Sequence, residues 1–260
     1  MNIVFLTADE PIYLPAVFAE LLKHRAGDTK AVFTVPSRYG HDSTLRMATR
    51  YTAAFGVWNL FRLAQRTLKA KLYDALGVAR KNGRFHSVAA CAAEYKVRTE
   101  RLRNVNDKAF LDRLREMNTD LIVSVSCPQI FRKDLINLPP LGCLNMHGAL
   151  LPKYRGIAPS FWMMAHGERR AGVTVFFVNE DIDAGEVVTR EEYEIFPEET
   201  LDQFIIRSKR IACGTLLRAI DMIEKGRPPT KQLDMSKGSY FGFPTREAYR
   251  KFRHRGRRLW

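Results

Sequence analysis

The stretch that decides the fold is Asn2-Ile3-Val4-Phe5-Leu6-Thr7, read together with Ala31-Val32-Phe33-Thr34-Val35 and the closing Pro36. Each run is short and continuously apolar, as a strand buried on both faces requires. Between them Leu14, Val17, Phe18, Leu21 and Leu22 recur at three- and four-residue steps, which is the spacing of one helix face. Strand, helix and strand in that order predict a parallel pair, because parallel neighbours need a crossover connection.

The same rhythm returns further along. Residues 107–117 read as a helix capped by Asp107, 120–127 as a buried strand, and 132–138 as a short helix ended by Pro139-Pro140. Residues 142–147 read as the next strand, and 159–166 as a short helix opened by Pro159. Residues 172–178 and 186–195 are two strands joined by a turn containing Asp183-Ala184-Gly185. Thr200 caps a long amphipathic helix to about Lys225, stopped by Gly226 and Pro228-Pro229. The expected fold class is therefore α/β, a mostly parallel sheet flanked by helices.

Residues 42–81 interrupt the alternation. Leu45, Ala48, Tyr51, Phe55, Trp58, Phe61, Leu68 and Leu72 recur at helical steps with arginines between them. They predict one or two amphipathic basic helices, split near Gly56. Packing against the sheet is the plain expectation for these helices, and packing rather than base-stacking for Trp58, Trp162 and Phe176-Phe177. A membrane-surface or substrate-capping element is the sharper one.

The 260 residues are 46 % hydrophobic and 27 % charged, a composition that builds a core and excludes a disordered chain. No apolar run approaches the ~18–20 residues of a membrane helix. The start lacks the features of a secretory signal, so the cytoplasm is the expected location. Cys91, Cys127, Cys143 and Cys213 show no metal-site spacing and read as reduced thiols; no metal is expected. The formal charge of +14 is localised: residues 38–84 hold ten Lys/Arg against Asp42 and Asp74, and residues 244–260 hold seven against Glu247. Two basic zones point to an anionic partner or to solvated faces.

The chemistry sits in residues 144–156, Leu-Asn-Met-His-Gly-Ala-Leu-Leu-Pro-Lys-Tyr-Arg-Gly. Asn145 and His147 are two apart on a strand and so share a face. They lie at its C-terminal end, where open α/β sheets place ligands. Residues 179–185, Asn-Glu-Asp-Ile-Asp-Ala-Gly, supply an acidic turn. An Asn, a His and an Asp suit acyl transfer to an amine: the His takes a proton, the Asn donates to an oxyanion, and the Asp orients and stabilises the His. No serine or cysteine stands in a nucleophile elbow, which favours direct transfer. Taken singly, His147 would pass for a core histidine and His166 for a helix-end residue. A His147/His166/Asp183 metal site is the weaker alternative.

The run N-M-H-G-A-L-L-P-K-Y-R-G, then G-V-T-V, then D-I-D-A-G, closely resembles the 10-formyltetrahydrofolate-dependent formyltransferase family. That family includes glycinamide ribonucleotide transformylase, methionyl-tRNA formyltransferase and the sugar N-formyltransferases. The resemblance implies a Rossmann-like fold over residues 1–226, a basic helical insertion at about 38–90 and a basic extension over 227–260. It implies Asn145, His147 and Asp183 as catalytic residues and direct attack through a tetrahedral intermediate. It places 10-formyltetrahydrofolate against Gln129, Ile130 and Phe131 and against Asn179, Glu180 and Asp181. Gly148 departs from the proline common after the His, which should loosen that turn. Thr7-Ala8-Asp9-Glu10 offers no glycine-rich phosphate cradle, which argues against glycinamide ribonucleotide. Few residues follow the long helix, which argues against a tRNA-binding barrel. The preferred acceptor is a nucleotide-linked amino sugar. The alternatives are methionyl-tRNA, glycinamide ribonucleotide, a hydroxyornithine, simple hydrolysis, or a non-catalytic folate- or nucleic-acid-binding protein.

Overall fold

The computed structural model describes residues 1–36, 43–77 and 84–260. The ends of the stretch 42–81, and Arg38, Asp42, Arg80 and Lys81 of the basic zone, lie outside these residues. Along the chain come β1 (Ile3–Ala8), α1 (Leu14–Arg25), β2 (Thr29–Val35), α2 (Thr44–Phe55), α3 (Val57–Ala75), α4 (Val88–Glu94) and β3 (Thr99–Arg101). Then follow α5 (Lys108–Glu116), β4 (Leu121–Val125), α6 (Lys133–Ile136), β5 (Cys143–His147), β6 (Arg155–Gly156), α7 (Pro159–His166) and β7 (Arg170–Phe177). The last are β8 (Val187–Glu194), α8 (Leu201–Glu224), β9 (Tyr240–Phe241) and α9 (Arg246–His254). The chain forms two compact units, residues 1–43 with 61–145 and residues 44–60 with 146–260.

In the first unit the strands run in the order β3-β2-β1-β4-β5, and each neighbouring pair is parallel. Ile3, Val4, Phe5 and Leu6 of β1 are wholly buried, as the unbroken apolar run demands. Helix α1 buries Val17, Phe18, Leu21 and Leu22, and the Phe18 ring meets Phe5 edge-on at 5.7 Å. Each such side chain contributes roughly 1.5–3 kcal/mol. Two elements of this unit escaped the sequence reading, α4 and β3. Helix α4 is capped by Ser87, whose hydroxyl accepts from the Ala90 amide. Strand β3 is Thr-Glu-Arg, too polar and short to show an apolar pattern. Asp107 does stand at the cap position of α5. Its carboxylate makes no capping bond there and accepts instead from the Asn104 side-chain Nδ2 at 2.6 Å.

In the second unit β7 and β8 form an antiparallel pair, and β6 and β9 a short parallel one. Helix α8 opens with a complete capping box: Thr200 accepts from the Gln203 amide while the Gln203 side chain accepts from that of Thr200. An aromatic core joins Phe55 of α2, Phe161 and Trp162 of α7, and Phe252 of α9. The basic tail is thus an amphipathic helix, burying Ala248 and Phe252 one turn apart. Gly56, at φ +90°, breaks α2 from α3 where the sequence suggested. Trp58 is 66 % exposed, whereas Trp162 and Phe176 are buried.

Candidate active site

Asn145 lies near the end of β5, half-buried and in register with Ser124 of β4. His147 closes the same strand, so strand alternation turns both side chains to one face. The imidazole is buried. Its Nε2 stands 2.7 Å from the Tyr154 carbonyl, which can only accept, so the neutral ring carries its hydrogen on Nε2. Nδ1 is left bare and faces the Asp183 Oδ2 at 3.6 Å. The two side chains are only 8 % and 12 % exposed, so a proton arriving at Nδ1 would sit beside a carboxylate with little water to screen it. Orientation of the ring therefore comes first from a main-chain oxygen, and Asp183 supplies charge.

The chain after β5 is built to bring that oxygen back. Thr174 of β7 donates through Oγ1 to the Ala149 carbonyl at 2.7 Å and accepts from the Leu151 amide at 3.1 Å. Ser239 fastens the turn at three points: its hydroxyl accepts from the Tyr154 amide, its carbonyl from the Arg155 amide, and its amide donates to the Pro152 carbonyl. Tyr154 itself adopts φ +58°, a left-handed bend. Its phenol donates to Glu168 at 2.6 Å, and burial together with Glu168 pushes that phenol well above its usual pKa. Gly148 does not leave this turn loose, because Thr174 and Ser239 hold its two ends.

Asp183 is fixed just as firmly. Its Oδ2 accepts from the Gly156 amide at 2.9 Å. It sits at φ +49°, which aspartate tolerates better than most residues. Two residues on, Gly185 passes so close to Phe177 that a Cβ there would run into the Phe177 carbonyl. Gly156, at φ +90°, is similarly confined by the Phe241 carbonyl and the Tyr240 ring. The motif's glycines are therefore positions of close backbone approach.

The other residues singled out from the sequence fall into two loops. Gln129 spends its side chain on the neighbouring chain, accepting from the Val105 amide and donating to the Arg103 carbonyl. Asn106 braces the same loop by donating to the Ile130 carbonyl and accepting from the Arg132 amide. Ile130 is exposed and Phe131 buried. In the acidic turn, Asn179 accepts from the Asp181 amide and donates to the Ala184 carbonyl, while Glu180 and Asp181 stand in solvent. His166 belongs to the end of α7, with Nδ1 3.3 Å from the Tyr154 hydroxyl. Cys91, Cys143 and Cys213 are buried; burial pushes the Cys91 and Cys127 thiols up to about 12, so neither offers a ready thiolate.

Tyr154, Thr174 and Ser239 were missed as positioning residues. Tyr154 lay inside the quoted motif, but its contribution is a carbonyl, which every residue possesses. Ser239 lies 85 residues from the amide that it accepts from, beyond any local pattern.

The profile of the formyl transferase family matches residues 1–220. The methionyl-tRNA formyltransferase of Syntrophus aciditrophicus is 37 % identical over 153 residues, 59 % of this chain and 49 % of that protein. That of Halothermothrix orenii is 30 % identical over 184 residues, 65 % of this chain and 58 % of that one. The chain thus spans about half the length of the curated relatives it matches. Among solved structures, glycinamide ribonucleotide transformylase 1 of Symbiobacterium toebii aligns with a TM-score of 0.60 at 16 % identity, covering 90 % of this chain and 95 % of that one. An N-formyltransferase of Helicobacter canadensis, solved with folinic acid and dTDP-3-aminofucose, gives 0.58 at 15 %, covering 93 % and 71 %. These likenesses show the shared fold, and the profile match shows the kinship: the chain belongs to the formyl transferase family.

Proposed function

We propose that the chain moves a formyl group from 10-formyltetrahydrofolate to a primary amine, and that the amine belongs to a nucleotide-linked amino sugar. The observation that carries the reaction is the pair His147–Asp183, with Nε2 2.7 Å from the Tyr154 carbonyl and Nδ1 turned to the Asp183 carboxylate. Nδ1 accepts the proton that the attacking amine must lose, and the Asp183 carboxylate beside it holds the resulting charge. Asn145, on the same face of β5, donates its amide hydrogen to the oxygen on which negative charge develops. The folate supplies an activated one-carbon acyl group. The backbone of Gln129, Ile130 and Phe131 is suited to hold it, because Gln129 and Asn106 fix that loop's shape in advance. The backbone of Asn179, Glu180 and Asp181, pinned by the Asn179 side chain, is assigned the same task.

The acceptor rests on less. The basic zones suit a diphosphate, and one structure of the same fold was solved with a nucleotide-linked amino sugar. The curated relatives act, by name, on methionyl-tRNA. Purified protein given 10-formyltetrahydrofolate and a panel of dTDP-linked amino sugars, methionyl-tRNA and glycinamide ribonucleotide decides the matter through release of tetrahydrofolate. Release only with an amino sugar is the expected result. Release with methionyl-tRNA alone replaces the acceptor, release without any amine replaces transfer by hydrolysis, and no release under any condition sinks the proposal.

A further inference from the structure

Helix α3 reverses the usual arrangement of an amphipathic helix. At about 100° per residue, Phe61, Leu68, Leu72 and Leu76 just past its end fall within one stripe, and Val57 and Trp58 extend it to the first turn. This stripe faces solvent: Leu68 is 68 % exposed, Leu72 53 % and Leu76 66 %. The packed face lies on the other side, where Ala70 is buried and Leu63 and Thr67 are half-buried. The one acidic residue of the helix, Asp74, is on that packed side and accepts from the Ser87 hydroxyl at 2.8 Å. Cations border the apolar stripe, with Arg62 and Lys69 along one edge and Lys71 along the other, all exposed.

We infer that α3 docks the protein on the surface of an anionic phospholipid bilayer, lying in the interface plane. An exposed stripe of Phe and Leu edged by Lys and Arg, with no acidic residue of its own helix on that side, is the pattern that enters the headgroup boundary. The aliphatic side chains reach the acyl region while the flanking ammonium and guanidinium groups stay at the phosphates. A second copy of the chain is a poorer occupant, because an isologous contact would set these cations against one another. An RNA partner would use the cations but leave three exposed leucines without a role. Among the described residues no helix is long and apolar enough to cross a membrane, so the contact is peripheral.

The test is co-sedimentation of the full chain with vesicles of phosphatidylcholine alone and of phosphatidylcholine mixed with phosphatidylglycerol. Binding is expected to the mixed vesicles, and to weaken as salt rises. Leu68→Ser with Leu72→Ser should weaken it roughly a hundredfold, and Arg62→Gln with Lys69→Gln roughly tenfold or more. Circular dichroism serves as the control for both double variants and should match the parent, and tetrahydrofolate release should match it in the leucine variant, whose residues are assigned no part in acceptor binding. If the leucine variant misfolds, the charge variant still decides. Failure to sediment with anionic vesicles, or sedimentation that both variants retain, overturns the inference. So does self-association or RNA binding that the leucine variant abolishes while vesicles bind neither protein. Vesicle binding is measured without substrate, so it stands or falls independently of the proposed reaction.

Discussion

The turn after β5 and helix α3 each break the rule of apolar inside and polar outside, in opposite senses. After β5, polar side chains are buried on main-chain partners: His147 on Tyr154, Asp183 on Gly156, Thr174 on Ala149 and Leu151. In α3, apolar groups are exposed, with cations along both edges. Burying polar groups is tolerable only when hydrogen bonds compensate, so the first region must be rigid and dense in contacts. Exposing apolar groups takes nothing from the folded core, so the second is free to serve something outside the chain. Substitutions should therefore hurt the two regions in different currencies: catalysis and stability in the first, association in the second.

The largest effect is expected at His147. His147→Ala should cut turnover by ~10²- to 10⁴-fold, and Asp183→Ala by ~10²-fold, each with a loss of about 1–3 kcal/mol from the stranded Tyr154 carbonyl or Gly156 amide. Single-turnover release of tetrahydrofolate measures both, and near-normal rates in either variant would remove the assigned roles. Gly185→Ala comes next. The new methyl group must displace the Phe177 carbonyl, so unfolding free energy should fall by about 3 kcal/mol in urea titration, and activity with it. Thr174→Val strands the Ala149 carbonyl and the Leu151 amide and should lose about 1–3 kcal/mol. Tyr154→Phe removes the bond to Glu168 but keeps the carbonyl that holds His147. A loss of about 1 kcal/mol with turnover retained is expected, and a collapse of turnover would show that the phenol matters instead. The smallest effect belongs to Leu68→Ser with Leu72→Ser, within ~0.5 kcal/mol of the parent. A loss of several kcal/mol there would mean that the stripe is packed, and the contrast between the two regions would vanish.

How much of this was legible depended on whether a feature is local. The buried strands β1, β2 and β4 announce themselves as apolar runs, and α7 and α8 by Pro159 and Thr200 at their starts. Asn145 and His147 could be paired from their spacing, and Asp183 by resemblance. What stayed hidden depends on contacts distant in sequence or on the backbone. Strand β3 is polar because it is short and held by its hydrogen-bonded neighbour β2. Ser239 fastens a turn far from it in the chain. Asp107 sits where a cap belongs, yet Asn104 claims its oxygen, a competition that composition does not reveal. Helical spacing located the apolar stripe of α3, but spacing alone says nothing about which side of the helix the protein covers.

The oxygen that fixes the imidazole is a peptide oxygen. Codon changes at position 154 can exchange the aromatic ring for another side chain, yet none deletes the acceptor while the bend survives. Heritable variation can thus reshape what surrounds this histidine while its tautomer passes unchanged from one descendant sequence to the next.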